Sequence, residues 1–375
     1  MKRNGFFFGM ALAGIFMLFI EVVSFVAATI LLPTGLLVAK PDTDGYEEYL
    51  LERDPVLGWP SKNVFGTGEY DVSGSRIVPA FPDPSADSCV ALFGDSFTWG
   101  DEVTPEFAYG NVLAELLDCR VANYGTGGYG TDQAVLRYVD VIDDNAPVVV
   151  MGHFADNITR NVNQLRDFVA GGRFGFKPRF VLDDEGLRLV PLPSLTVTEY
   201  AEAAERAAEL LPYEYFRPGT WGAAGIKQLP YTKAVLHAAL HYRVLAAVSG
   251  IRPTYAPFYE SDHPSGALPV TVAMLNYGAD IAATRAQRFV VLLIPDQHDL
   301  AAASRGEPTS YAALRDALHD SGTGVEVVDA ADYLTMAFEG DDFCELFVTC
   351  GASHFNPAGY RLLAEAVHSR LTVGD

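Results

Sequence analysis

Lysine is scarce in this 375-residue chain. Only 6 of its 26 cations are Lys, against 48 Asp plus Glu and a formal charge of −22. The basic stripe that a phosphate backbone requires is missing, which argues against a nucleic-acid partner. Low-complexity tracts are also missing, and 49% of the residues are hydrophobic, so the chain is not disordered. No internal repeat is visible. Cysteine is limited to four residues, none in the C-x-x-C spacing that suits zinc. Charge itself is nearly absent from residues 4–39, where Glu21 is the single charged side chain.

That stretch is almost continuously apolar from Gly5 to Leu32. At 1.5 Å per residue it is long enough to span a hydrocarbon core of ~30 Å. A secretory signal peptide has an apolar region of only ~7–15 residues. The segment therefore reads as an uncleaved signal anchor, with Val26-Ala27-Ala28 the rival cleavage point inside the run. Lys2 and Arg3 precede it, whereas Asp42, Asp44, Glu47 and Glu48 follow it with Lys40. The positive-inside rule then puts the N-terminus in the cytoplasm and the remainder in a periplasmic or extracellular space. Glu21 in mid-span needs protonation or a helix partner, and simple tolerance of one neutralised acid is the preferred reading. Outside the cytoplasm four cysteines suit two disulfides, although three connectivities exist. Cys89 and Cys119 each precede a short apolar run, and Cys344 and Cys350 flank one loop.

Residues 1–39 thus form the anchor and 40–85 a polar lead-in, and 86–375 read as one domain. Short apolar runs at 89–93, 121–123, 146–151, 288–294 and 325–328 alternate with helical spacing at 107–117, 131–141, 311–318 and 357–371. Such alternation indicates an α/β fold whose central parallel sheet is covered on both faces, a three-layer sandwich. An insertion at about 158–286 breaks the rhythm. It contains a hairpin pattern at 179–190 and helical stretches at 198–211, 231–248 and 269–283.

The sharpest motif is Gly94-Asp95-Ser96-Phe97, directly after the first strand. A serine at that turn sits at the carboxyl edge of the sheet, where open α/β sheets bind ligands. It needs a base to become a nucleophile, and His354, just before the last helix, is the candidate. The bland reading is that the serine only caps its helix and the histidine lies at the surface. His237 and His241 stand four residues apart, but no third metal ligand accompanies them. His153 and His298 lie near strand ends and could line the cleft, while Trp99, Tyr124 and Tyr129 could stack on a sugar or simply pack.

These blocks, in this order, resemble the SGNH, or GDSL, hydrolase superfamily, over roughly residues 86–160 and 286–370. The resemblance implies a flavodoxin-like sheet and ester chemistry without metal or organic cofactor. It places Ser96 as nucleophile, Gly128 of the Asn123–Gln133 block in the oxyanion hole and His354 as base. The third block departs: Ala155-Asp156-Asn157 makes Asn157 the better oxyanion amide, since a carboxylate at Asp156 would repel negative charge. The position that normally carries the acid, three residues before the histidine, is Gly351. Asp341, Asp342 or Glu345 could replace it if the 344–350 loop folds back. The implied substrate is an acyl ester, most readily an O-acetyl group on envelope or extracellular polysaccharide. An O-acyltransferase on the same material and a non-catalytic carbohydrate-binding or assembly protein are the alternatives.

Overall fold

A computed structural model describes residues 2–322, 324–340, 342–351 and 353–372. The helices used below are α1 (Lys2–Leu31), α2 (Ser96–Trp99), α3 (Tyr109–Leu117), α4 (Thr131–Leu136), α5 (Asn157–Arg160), α6 (Tyr231–Ala239), α7 (Ala267–Thr284), α8 (Gln297–Ser304), α9 (Ala330–Ala337) and α10 (Pro357–Thr372). The chain divides into two compact units. One comprises residues 52–162, 177–192 and 255–375, and the other residues 1–51, 163–176 and 193–254.

The first unit holds five parallel strands, β1 (Val90–Phe93), β2 (Val121–Asn123), β3 (Val148–Phe154), β4 (Arg288–Ile294) and β5 (Glu326–Asp329), in the order β2-β1-β3-β4-β5. Through β1, most of β3 and β4 the side chains are apolar in succession because both faces are covered, the pattern expected of a parallel sheet, whereas β5 at the edge is only partly buried. On one face Leu92, Val150, Val290 and Leu292 pack with Val112 and Leu113 of α3, Leu334 of α9 and Leu363 of α10. Each such side chain contributes ~1.5–3 kcal/mol when fully buried. On the other face Phe93 meets Tyr138 and Tyr138 meets Phe289 at ring-centroid distances of 5.3 and 6.0 Å. β3 runs three residues past the apolar 146–151 segment. It pairs with β4 over seven positions, from Val148↔Arg288 to Phe154↔Ile294. The strand order reverses between β1 and β3, and a crevice for ligands opens at the carboxyl ends of strands at such a switch point.

Residues 52–85 lie in this same unit. Arg76, 2% exposed, donates to the carbonyls of Trp99, Gly100 and Val103 and pairs with Glu69 at 2.8 Å. Both disulfides are formed. Cys89–Cys119 joins the starts of β1 and β2, and Cys344–Cys350 closes a loop of six residues' separation.

In the second unit α1 is the one helix, among the described residues, long and apolar enough to cross a membrane, over Phe7–Thr34. Its Ala28 is fully buried against Ala234 and Ala238 of α6. The expected long helix at 231–248 is broken in two. His241 adopts an extended backbone and its Nδ1 accepts the Arg243 N–H, capping a new helix over Tyr242–Val248. This accounts for His241 as a cap. Its burial holds its pKa down to about 3. Among the described residues no group of three metal-ligating side chains is assembled.

Candidate active site

β1 ends in Gly94, where a Cβ would lie 2.0 Å from the Thr98 hydroxyl, so only glycine lets the chain turn sharply here. Asp95 follows as the cap of α2, its carboxylate accepting the Phe97 N–H at 3.0 Å. Its other oxygen faces Arg160 at 3.3 Å. Burial pushes the Asp95 carboxyl up, opposed by Arg160 and the Phe97 N–H. Ser96 is thereby fixed at the first position of α2, 6% exposed, on the edge of the switch-point crevice.

His354 reaches Ser96 from a loop that three features hold in place. The loop forms a Phe347↔Phe355 bridge, and the Val348 N–H donates to the His354 carbonyl at 3.0 Å. Asn356 accepts the N–H groups of Ala358 and Gly359 at 2.9 and 3.2 Å, starting α10. The Phe97 ring lies 4.7 Å from the imidazole and stacks on Phe154 at 4.0 Å. With this support Nε2 of His354 stands 2.8 Å from the Ser96 hydroxyl.

The acid on the far side of the ring is Glu102, which sequence reasoning missed. Its Oε2 accepts both the His354 backbone N–H at 2.7 Å and Nδ1 at 2.8 Å. These bonds, the backbone one foremost, hold the Glu102 carboxyl below its usual range. The acids expected near the 344–350 loop are placed differently. Asp342 spends its carboxylate on the Cys344 N–H at 2.9 Å, capping a short 3-10 turn. The Glu345 backbone carbonyl accepts the Asn356 amide at 2.7 Å. Asp341 lies outside the described residues. Gly351 has φ +74, a left-handed turn that suits glycine. The acid is supplied from the Ser96 turn because α2 ends after one turn at Gly100 and returns the chain towards His354. Glu102 itself sits at φ +66, unusual for a residue with a Cβ. Strained backbone of this kind persists where the surroundings over-determine it, often at functional sites. In the sequence only Gly100, the glycine that ends α2, marks this turn.

Gly128 has φ +81, in the turn before α4. Asn157 opens α5 fully buried, and neither its amide oxygen nor its amide nitrogen has a hydrogen-bond partner among the described residues. Asp156 next to it faces Arg160 at 3.4 Å. His153 is a core residue: Nδ1 meets Thr131 Oγ1 at 2.6 Å and Nε2 meets the Tyr259 hydroxyl at 2.8 Å. Burial holds its pKa down to about 3. Trp99, Tyr124 and Tyr129 are all buried, so packing accounts for them.

No family model matches the chain, and no curated protein matches it. Solved structures do. A protein assigned to the lipolytic G-D-S-L family from Desulfitobacterium hafniense is similar at 11% identity and TM-score 0.35, covering 75% of this chain and 97% of that one. An alpha/beta hydrolase enzyme from the metagenome of Lake Arreo is similar at 13% identity and TM-score 0.40, with 77% and 96% covered. A carbohydrate esterase family 2 enzyme with a carbohydrate-binding domain, from Corynascus thermopiles, is similar at 15% identity and TM-score 0.35, with 79% and 68% covered. At these values the chemistry rests on the distances in this chain.

Proposed function

We propose that the chain is a membrane-anchored serine esterase acting through an acyl-enzyme. Its substrate class is O-acyl, chiefly O-acetyl, groups on envelope or extracellular polysaccharide. The observation that carries the reading is the relay from Glu102 Oε2 through both nitrogens of His354 to the Ser96 hydroxyl, with 2.8 Å at each step. Nucleophile, base and orienting acid within hydrogen-bond reach form the constellation that acyl transfer requires.

In the reaction Nε2 of His354 takes the Ser96 proton as Oγ attacks the ester carbonyl. Glu102 holds the ring in the tautomer with its proton on Nδ1 and stabilises the imidazolium that forms. The negative charge on the former carbonyl oxygen is received by the backbone N–H groups of Ser96 and Gly128 and by the Asn157 amide. The unpartnered Asn157 side chain supports that role, because an unsatisfied buried amide costs ~1–3 kcal/mol unless a ligand meets it. His354 then returns its proton to the departing sugar alkoxide, leaving acyl-Ser96. Water, deprotonated by His354, releases the acid and restores the enzyme. A sugar hydroxyl in place of water would make the same site a transferase.

The carbohydrate substrate is inferred from the family resemblance together with the outward-facing topology proposed for α1. A non-catalytic role would suit a site left without an acid by Gly351, and Glu102, 2.8 Å from His354 Nδ1, argues against it. The test is acetate release from acetylated polysaccharide by the full chain in detergent, with Ser96→Ala and His354→Ala beside it. Turnover lost in both variants supports the reading, and acetyl appearing on an added acceptor sugar shows transfer. An inert wild type, or variants that turn over normally, refutes it.

A further inference from the structure

Residues 215–259 contain no Asp or Glu, in a chain with 48 of them. The same stretch carries five cations: Arg217, Lys227, Lys233, Arg243 and Arg252. It also carries large apolar side chains that face outwards. Leu229 is 70% exposed and Leu236 of α6 58% exposed. Lys227, Leu229, Lys233 and Leu236 fall within one ten-residue segment, and a basic, apolar segment on a strongly acidic protein suits a partner that is both anionic and apolar.

The position of this surface is set by α1. Glu21, the charge inside the apolar span, accepts the Tyr231 N–H at 2.6 Å and the Thr232 hydroxyl at 2.5 Å, so it caps the first turn of α6. One turn further, Phe25 packs edge-on against Tyr231 at 5.0 Å, with the Lys227 ammonium 5.6 Å from its ring. Ala28 then packs on Ala234 and Ala238. The two helices therefore run in the same direction, with the 227–232 turn at the level of Glu21. A hydrocarbon core takes ~20 helical residues, so a core entered at Phe7 ends near Val26. The start of α6 lies beside residues 21–25, inside that boundary.

We propose that the 227–236 segment is a second membrane element, which enters the interface of an anionic bilayer beside the anchor without crossing it. Leu229, near the level of Glu21, buries in the acyl boundary, Leu236, near the level of Ala28, lies in the headgroup layer, and Lys227 and Lys233 reach outwards to phosphate headgroups. Cations near such a surface are drawn to anionic lipid. Glu21 is the brace: its carboxylate meets the N-terminal N–H groups of α6 and so is never left bare in the apolar phase. This inference rests on the anchor reading of α1.

The test uses spin labels on the full chain in vesicles. All four native cysteines are disulfide-bonded, so one introduced cysteine takes one label. Leu229→Cys and Leu236→Cys probe the surface, and Val23→Cys probes the exposed side of α1. Leu51→Cys, among Glu47, Glu48 and Glu52, is the aqueous reference. Collision with oxygen and with a water-soluble nickel chelate reports depth. The expected result is oxygen access and nickel exclusion at 229 as at 23, with 236 shallower than 229 and deeper than 51, and with depth at 229 increasing when phosphatidylglycerol replaces part of the phosphatidylcholine. Nickel access at 229 with exclusion at 23 overturns the inference and leaves the anchor standing. Nickel access at 23 as well overturns both. Equal depth in the two lipid compositions overturns the anionic partner.

Discussion

Replacing Glu102 by Gln keeps the size of the side chain and removes its charge. In the native site one carboxylate oxygen accepts from the His354 backbone N–H and from Nδ1, at 2.7 and 2.8 Å. Charge centres ~4 Å apart at an effective dielectric between 20 and 80 interact by ~1–4 kcal/mol. Glu102 is 40% exposed, so water screens the pair and the middle of that range, ~2 kcal/mol, is appropriate. A lost or misdirected hydrogen bond to Nδ1 adds ~1 kcal/mol. Together these predict a fall in kcat/KM of roughly 100-fold. The fall belongs in kcat, because the imidazolium exists only once the serine proton has moved. Hydrolysis of p-nitrophenyl acetate by the full chain measures it. Glu102→Gly is the companion variant. It removes the acid and also relieves the left-handed backbone at φ +66, which costs a residue with a Cβ ~1–2 kcal/mol. Its activity falls at least as far while its melting temperature does not. Activity within twofold of wild type in both variants refutes the assignment of Glu102.

Other outcomes can be checked on the same protein. His153 keeps a pKa of about 3 when folded and a normal one near 6.5 when unfolded, so the unfolded chain binds its proton first and stability falls as pH drops below ~6.5. At pH 5 this loss amounts to ~2 kcal/mol, and denaturant titrations of His153→Gln between pH 7 and 5 show a shallower slope than wild type. Breaking Cys89–Cys119 with paired serines lowers stability by ~4 kcal/mol, the chain-entropy value for a separation of 30 residues, with the Ser96–His354 geometry retained. Paired serines at Cys344 and Cys350 cost less stability, ~2 kcal/mol, but lower kcat, because that loop carries His354. Asn157→Ala lowers kcat by ~10²-fold, the value of one oxyanion donor, and leaves KM nearly unchanged. A change confined to KM would remove Asn157 from the oxyanion hole.

The sheet was legible because its central strands are short apolar runs buried on both faces, and such runs need no tertiary information to be recognised. Arg288–Ile294 is the clearest case. The end of β3 was not legible: His153 and Phe154 are drawn into the strand by pairing with Leu293 and Ile294 of β4. In the insertion, the break after Ala239 depends on His241 capping a new helix, a side-chain bond that periodicity does not register. Ser96 and His354 were legible from their motifs. The acid was not, since Glu102 meets His354 across 252 residues and only the return of the chain after Gly100 brings them together. Proximity in sequence to the histidine pointed instead to the 341–345 carboxylates, and Asp342 is occupied in capping. Glu21 shows the same limit: a solitary charge in an apolar span gives no hint that residues 210 and 211 positions later supply its partners.

The most direct test of the central claim is active-site labelling. The full chain is treated with a serine-directed fluorophosphonate and its peptides are mapped by mass spectrometry. A single stoichiometric adduct on Ser96, lost in His354→Ala and slowed in Glu102→Gln, is the predicted result. A wild-type Ser96 that stays unmodified while the chain still turns over acetyl esters would contradict the account.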